Sequence, residues 1–133
     1  MLFKCVKNFK SAGSDVFEKE FVQELLSVCE RPGIGMACAR VYGKDGKLAN
    51  DVRMAGVSDP FGRSTKGLGK GYLGYVHRAC LQQEILEPTD CFLMKAEVLR
   101  QVPESVDDIK GLTEQVKELG YRVVYDPWAV LYE

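Results

Sequence analysis

The chain has 133 residues, of which 46% are hydrophobic and 28% are charged, and its formal net charge is -1. This composition predicts a folded domain that buries a core, and it excludes an intrinsically disordered chain. The balanced charge argues against a nucleic-acid partner, because surfaces that bind nucleic acid concentrate lysine and arginine.

The N-terminal part of the chain predicts a short strand followed by a helix. Residues 1–8 form the strand, and Asp15 with Glu18 three positions later resembles a capping box that opens the helix. Apolar residues then recur at helical spacing as far as Cys29. The Arg-Pro-Gly sequence at 31–33 predicts the end of this helix.

A buried strand, a hairpin and a long loop are predicted next. Residues 34–42 form a largely apolar run, and its small residues leave room for a closely packed neighbour. The Lys-Asp-Gly-Lys sequence at 44–47 predicts a tight turn, from which a second strand returns over 48–57. Residues 58–86 are rich in glycine and aromatic residues, which predicts a long loop of the kind that often carries function.

The C-terminal part returns to regular structure. Residues 89–99 predict a buried strand that runs into a short helix. A capping box at Ser105 and Asp108 starts another helix, and Gly120 ends it. The last segment predicts two short strands broken at Asp126 and Pro127. Together these elements predict one α/β domain over residues 1–133, with a mixed β-sheet, packed helices and a β-hairpin insertion.

The apolar runs and the cysteines predict where in the cell the chain resides. No apolar run approaches the length that spans a bilayer, and lysines interrupt the N-terminus, so it does not read as a signal peptide. The five cysteines form no Cys-x-x-Cys pair. This pattern predicts no transmembrane segment, buried free thiols and a reducing, cytoplasmic setting. It also disfavours a thiol-based redox protein.

The ordered set of elements resembles the C-terminal part of family 2 glycosyltransferases, which have the GT-A fold. The resemblance covers about residue 15 to the end. It is carried by "RPGIGMACARVYGKDGK", by Ala-Gly-Val at 55–57, by "TDCFLMKAEVL" and by the closing segment "DIKGLTEQVKELGYRVVYDPWAVLYE". In that family these segments follow a helix, surround a glycine- and aromatic-rich loop, and close the fold.

The resemblance implies transfer of a sugar from a nucleotide-sugar to a glycan or similar acceptor, as in polysaccharide biosynthesis. It also implies a divalent cation, Mg²⁺ or Mn²⁺, held on the diphosphate by an Asp-x-Asp motif. A carboxylate in the closing motif would act as base toward the acceptor hydroxyl. The nucleotide-binding half of such an enzyme would precede residue 1.

The chain departs from the family pattern at the residues that carry chemistry. The Asp-x-Asp strand falls near residues 1–8, which contain no aspartate. The family's Glu-Asp-x-Asp motif aligns on residues 108–111, so that Ile109 stands at the usual base position. Asp108 and its neighbour Asp107 are the remaining catalytic candidates, and capping of the helix is the alternative. Glu133 replaces the terminal histidine as a candidate metal ligand or a solvated chain end.

Four further residues are candidates for substrate binding. Tyr72, Tyr75 and His77 lie in the long loop, where they could contact an acceptor. Trp128 could stack on a sugar ring, and core or edge packing is the alternative. Arg40 is interpreted as a charge at a strand flank without a special role.

Two functions remain open on these residues. The first is the acceptor-side portion of a family 2 glycosyltransferase, inactive as an isolated chain. The second is a catalytically degenerate module that binds glycan or mediates assembly. Because a partial sheet would expose an edge, we also expect self-association or a missing N-terminal domain that pairs there.

Overall fold

A computed structural model describes residues 3–5, 19–50, 67–69, 82–89, 91–106 and 108–132. These residues form an α/β fold, which confirms the predicted class. The elements follow one another as β1 (Phe3–Cys5), α1 (Lys19–Cys29), β2 (Ile34–Tyr42), β3 (Gln83–Glu84), β4 (Phe92–Lys95), α2 (Ala96–Leu99), α3 (Ile109–Glu118) and β5 (Arg122–Tyr132).

The strands form one mixed sheet with the order β1-β4-β2-β5-β3. Strands β2 and β5 run parallel, and Ala37 pairs with Val124 near the middle of this contact. Strand β4 is antiparallel to both β1 and β2, and β3 is antiparallel to β5. The last segment of the chain therefore lies directly beside the apolar run at 34–42.

Helices cover both faces of the sheet. Alternate residues of a strand point to opposite faces, and the two apolar clusters follow this alternation. One face packs on α1, through Leu25, Val28, Ala37, Leu93 and Val124 among others. The other face packs on α2 and α3, through Met36, Phe92, Val98, Val116 and Tyr125 among others. A central strand covered on both sides is apolar throughout, as β2 is.

Gly35 explains why β2 needs small residues. A Cβ atom at this position would lie 2.9 Å from both Val116 Cγ1 and Tyr121 Cβ. Helix α3 and the residue that follows Gly120 thus press directly on the strand backbone. The predicted close packing against this strand is confirmed.

Both ends of α3 are closed by local hydrogen bonds. The side chain of Asp108 accepts a hydrogen bond from Gly111 N at 2.9 Å, so the N-cap is Asp108 and the predicted cap at Ser105 is wrong. At the other end Gly120 has φ 91°. The amide of Tyr121 bonds to Val116 O and the amide of Gly120 to Lys117 O. This is a Schellman motif, which confirms Gly120 as the predicted stop.

The hairpin after β2 is present in its first part. Gly46 has φ 73° in the turn, and the amide of Gly43 donates to Lys47 O. The chain then returns far enough for Leu48 to pair with Tyr42. Residues 51–57 of the predicted return strand lie outside the described residues, as do residues 15–18 before α1.

Strands β5 and β3 both differ from prediction. The segment predicted as two strands broken at Asp126 and Pro127 is one strand, because β2 pairs with it on both sides of that point. Strand β3, at the end of the predicted loop 58–86, was not expected. A two-residue strand has almost no pattern of its own and forms here because β5 supplies its hydrogen bonds. Most of that loop lies outside the described residues.

Candidate functional site

Most residues predicted from the family pattern lie outside the described part of the chain. These are Asp107, Glu133, Tyr72, Tyr75 and His77. Asp108 is described, and its exposed carboxylate caps α3. The structure thus shows the capping role for Asp108 and brings none of the other candidates beside it within the described ranges.

Of the four predicted substrate-binding residues, Trp128 lies in the described part of the chain. It is 71% exposed, although it lies in a strand next to the centre of the sheet. Its neighbours Pro127 and Ala129 are both buried. The alternative of core packing is therefore wrong for Trp128, and its ring is available to a ligand.

A β-bulge carries Trp128. Ala39 of β2 pairs with Asp126, but the next residue, Arg40, pairs with Val130. Three residues of β5 are therefore extra relative to β2. Pro127 favours such an interruption because it has no N–H to donate to a neighbouring strand. The bulge explains why an Asp-Pro pair interrupts the regular ladder without ending the strand.

Arg40 holds this bulge in place. Its Nε donates a hydrogen bond to Pro127 O at 2.9 Å, and its Nη2 donates to the same oxygen. The guanidinium group also contacts the Tyr42 hydroxyl at 3.5 Å. The interpretation of Arg40 as a strand-flank charge without a special role is wrong, because its guanidinium group donates two hydrogen bonds to the backbone of the bulge.

Further aromatic rings lie beyond the bulge, on the face of β5 that carries Trp128. Trp128, Val130 and Tyr132 alternate along the strand with the buried residues Ala129 and Leu131. Tyr132 is 52% exposed. Its ring stacks on that of Tyr42, with centroids 5.5 Å apart and 14° between the planes.

We call the exposed rings of Trp128 and Tyr132, with the buried Tyr42 ring stacked on Tyr132, the aromatic face. The apolar cluster under α3 reaches Cys38 and Tyr125. Val130 beyond it packs instead with Tyr42, Leu48 and Leu68. Leu48 and Leu68 therefore pack on this face of β5 around Val130, and Trp128 and Tyr132 remain exposed.

On the opposite side of the bulge lies a buried carboxyl group that the sequence analysis did not single out. The side chain of Asp126 is fully buried, and its Oδ1 accepts a hydrogen bond from Trp128 N at 3.1 Å. Burial raises the pKa of Asp126 to about 7, and the adjacent Glu24 carboxyl acts in the same direction. The Trp128 amide and the Arg31 charge oppose this rise. An aspartate between an apolar run and a proline predicts a turn, and this hid its burial.

A concavity lies between α3 and residues 86–88, away from the bulge. It has a volume of about 390 Å³ and is lined by Leu86, Glu87, Pro88, Lys110, Thr113, Glu114 and Lys117. The Nζ atom of Lys117 donates a hydrogen bond to Leu86 O at 2.8 Å across it. We call it the α3 groove. It lacks exposed aromatic rings among its lining residues, which distinguishes it from the aromatic face.

Three cysteines behave as small hydrophobic residues. Cys29, Cys38 and Cys91 are free and buried. Burial raises the pKa of Cys29 to about 11 and that of Cys38 to about 12. Both thiols are therefore protonated and unreactive at neutral pH. This confirms the predicted buried thiols at these three positions.

Neither a cation site nor a membrane span is found in the part of the chain that the structure describes. There, no three His, Cys, Asp or Glu side chains converge as metal ligands. Because Glu133 lies outside that part, the predicted Mg²⁺ or Mn²⁺ stays a prediction. None of the described helices is long and apolar enough to cross a bilayer.

Comparison with known proteins gives one similarity. The chain is 26% identical over 133 residues to the uncharacterized protein y4gI of Sinorhizobium fredii (strain NBRC 101917 / NGR234). This alignment covers 89% of the chain and 14% of the relative. No protein-family model matches the chain. The chain is thus similar to a small part of a much longer protein.

Proposed function

We propose that this chain is the acceptor-side portion of a family 2 glycosyltransferase fold and that it binds a glycan on the aromatic face. The observation that carries the proposal is the 71% exposure of Trp128 in β5, directly after residues 123–127 of the same strand, which are buried. Two arrangements support it. Strand β5 lies beside β2, and the elements follow one another in the order that the quoted segments predict.

The chemistry of the aromatic face suits a sugar ring. The C–H groups on one side of a pyranose ring pack against an aromatic plane, while hydroxyl groups at the ring edge need hydrogen-bond partners. Trp128 and Tyr132 offer the planes, and they lie four residues apart, roughly 13 Å along a strand. Such a surface binds a chain of sugars better than a compact apolar ligand.

We expect no sugar transfer by this chain alone. The resemblance assigns the base to the position of Ile109, whose side chain cannot take a proton. Asp108, one residue earlier, is engaged as the N-cap of α3. Incubation with a panel of nucleotide-sugars and measurement of released nucleotide tests this expectation. Release at enzymatic rates would contradict it.

Binding is tested by titrating the chain with oligosaccharides, first on a glycan array and then by calorimetry. We expect binding to a subset of glycans, weakened when Trp128 is replaced by Ala. Absence of binding to every glycan tested, with a folded chain, would count against the proposal.

A degenerate glycan-binding or assembly module is the second candidate. The capping role of Asp108 favours it, since the carboxylate that remains from the closing motif has a structural task. Repeating the glycan titration with added nucleotide separates the candidates. Glycan binding that added nucleotide leaves unchanged supports the module, and an absence of glycan binding counts against it.

Self-association stays a prediction. In the described part of the sheet the outer strands are β1 and β3, and outer strands present backbone groups that can pair with another chain. Sedimentation velocity over a hundredfold concentration range measures it. A single monomeric species at every concentration would contradict this prediction.

A further inference from the structure

The two exposed rings of the aromatic face lie in a line along one strand. Trp128 and Tyr132 project from the same face of β5, and Val130 lies between them on that face. Trp128 is 71% exposed and Tyr132 is 52% exposed, whereas Val130 is half-buried. Two large aromatic side chains therefore flank a smaller one.

The spacing of the two rings exceeds what one sugar can bridge. Four residues of a strand span roughly 13 Å. The stacked rings of Tyr42 and Tyr132 have centroids 5.5 Å apart, and a six-membered sugar ring that stacks on an aromatic plane lies at a similar distance. The span from Trp128 to Tyr132 is more than twice as long. A sugar stacked on one ring therefore leaves the other ring for a second sugar, and a third fits over Val130.

The orientation of the Tyr132 ring is fixed by its neighbour on β2. Tyr42 and Tyr132 are register partners on parallel strands, and their ring planes differ by only 14°. Tyr42 is buried, so the exposed area of Tyr132 lies on the part of its ring that Tyr42 does not cover. A plane that is already held loses little freedom when a ligand stacks on it.

The bulge fixes the backbone at the other end of this line. The amide of Trp128 donates a hydrogen bond to Asp126 Oδ1 at 3.1 Å. Arg40 Nε donates to Pro127 O at 2.9 Å. The peptide group between Pro127 and Trp128 is thus held both at its nitrogen and at its oxygen. The distance between the two aromatic positions is therefore set by structure that is present before a ligand binds.

A ligand that contacts both rings has to stay straight over roughly 13 Å. A chain of six-membered sugars joined through equatorial bonds, such as β-1,4-linked glucose, is extended and carries C–H groups on both faces of each ring. An α-1,4-linked glucose chain curves, because one bond of each link is axial. The next step rests on the proposed function: we infer that the aromatic face binds an extended, β-linked chain of about three sugars, placed on Trp128, over Val130 and on Tyr132.

The fluorescence of Trp128 reports binding at one end of this line, because Trp128 is the one tryptophan of the chain. The experiment titrates the protein with β-1,4-linked glucose oligosaccharides, from cellobiose to cellohexaose, and with α-1,4-linked glucose oligosaccharides of the same lengths. We expect the affinity for the β-linked series to rise about tenfold from two to four units and then to level off. The affinity for the α-linked series should rise by less than about threefold over the same lengths.

Tyr132→Ala separates the two ends. Trp128 is unchanged in this variant, so the affinity for cellobiose measured at Trp128 should stay within about twofold of the parent, while that for cellotetraose should fall about tenfold. Tyr132→Phe keeps the aromatic plane and is the matched control, which should bind both oligosaccharides as the parent does. Circular dichroism checks that each variant is folded.

Equal affinity of the parent for cellobiose and cellotetraose would overturn the proposal, and so would equal gains with length in the two linkage series. An equal loss for both oligosaccharides in Tyr132→Ala would also overturn it, because Tyr132 would then act on the Trp128 position and not on a further sugar. If Tyr132→Ala does not fold, the lengths and linkages compared in the parent still decide the outcome.

The glycan array separates this proposal from the function on which it rests. Binding of other glycans through Trp128, without binding of any β-1,4-linked oligosaccharide, would keep the proposed function and reject the extended chain. An array on which the folded protein binds nothing would reject the proposed function itself.

Discussion

The two halves of β5 both pair with β2, but their side chains have different surroundings. Residues 123–126 pair in regular register with β2, and Val123, Val124 and Tyr125 fill the cores on both sides of the sheet. Residues 127–132 begin with a bulge and expose Trp128 and Tyr132 on one face only. The first half stabilises the fold, and the second half presents a surface.

The difference between the halves comes from their neighbours. Helix α1 covers one face of β5 along both halves, through Val124 in the first and Ala129 and Leu131 in the second. Helix α3 packs on the opposite face of the first half. In the second half Leu48 of the hairpin and Leu68 of the following loop pack on that face. The aromatic face is therefore exposed at the part of β5 that α3 does not cover.

Replacing Tyr125 by Ala should break the first half with the largest effect on stability. The side chain is among the largest that are fully buried, and truncation of a buried aromatic ring costs about 3–5 kcal/mol. Urea unfolding measures the loss, and Tyr125→Phe, which keeps the ring, is the matched control. A loss below about 1 kcal/mol would show that this half is not the stabilising one.

The buried carboxyl of Asp126, where the two halves of β5 meet, should make the free energy of unfolding depend on pH. The pKa of Asp126 is about 7 in the folded chain and about 3.8 in an unfolded one. Between these values the folded state holds a proton that the unfolded state has released, so stability falls as pH rises. The expected loss is roughly 2–3 kcal/mol from pH 5 to pH 7.

Urea midpoints at pH 5, 6 and 7 test this dependence in the parent and in Asp126→Asn. The difference between the two proteins isolates Asp126 from the other titrating groups. Urea midpoints that change equally with pH in the two proteins would contradict a raised pKa for Asp126.

Arg40→Gln should loosen the second half with a smaller effect. It removes the charged donors to Pro127 O, and hydrogen bonds from a half-buried charged group contribute about 1–2 kcal/mol. We also expect a change in Trp128 fluorescence, since the bulge is no longer held from this side. Arg40→Lys should recover part of both effects. Unchanged fluorescence in Arg40→Gln would separate Arg40 from the position of Trp128.

Trp128→Ala should have the smallest effect on stability. An exposed side chain contributes little to the core, so the free energy of unfolding should change by less than about 0.5 kcal/mol. Urea unfolding beside Tyr125→Ala gives the contrast within one strand. A loss above about 2 kcal/mol would mean that the indole ring packs as part of the fold.

Sequence patterns predicted the parts of this fold that depend on local periodicity and capping. The apolar spacing of α1 and the glycine that ends α3 are local signals, and both were confirmed. The small residues of β2 predicted a close neighbour, which Gly35 and Tyr121 show. These features repeat over several residues or depend on one residue with special geometry.

The candidate site was harder to predict because it depends on what covers each strand. An Asp-Pro pair predicts a break in an isolated segment, whereas β2 pairs on both sides of it and produces a bulge. The same sequence does not reveal that Trp128 is exposed or that Arg40 reaches Pro127 O. Burial of Asp126 depends on α1, which is about a hundred residues away in the chain.

The most direct test of the account is the glycan affinity of Trp128→Ala beside that of Leu86→Ala. Leu86 is also exposed, but it lines the α3 groove, so it is a matched control at a different surface. Calorimetric titration with a glycan that binds the parent should give about tenfold weaker binding for Trp128→Ala, since an aromatic stacking contact contributes roughly 0.5–1.5 kcal/mol besides its buried area. Leu86→Ala should bind like the parent. Equal affinity of Trp128→Ala and the parent, or a loss in Leu86→Ala alone, would contradict the account.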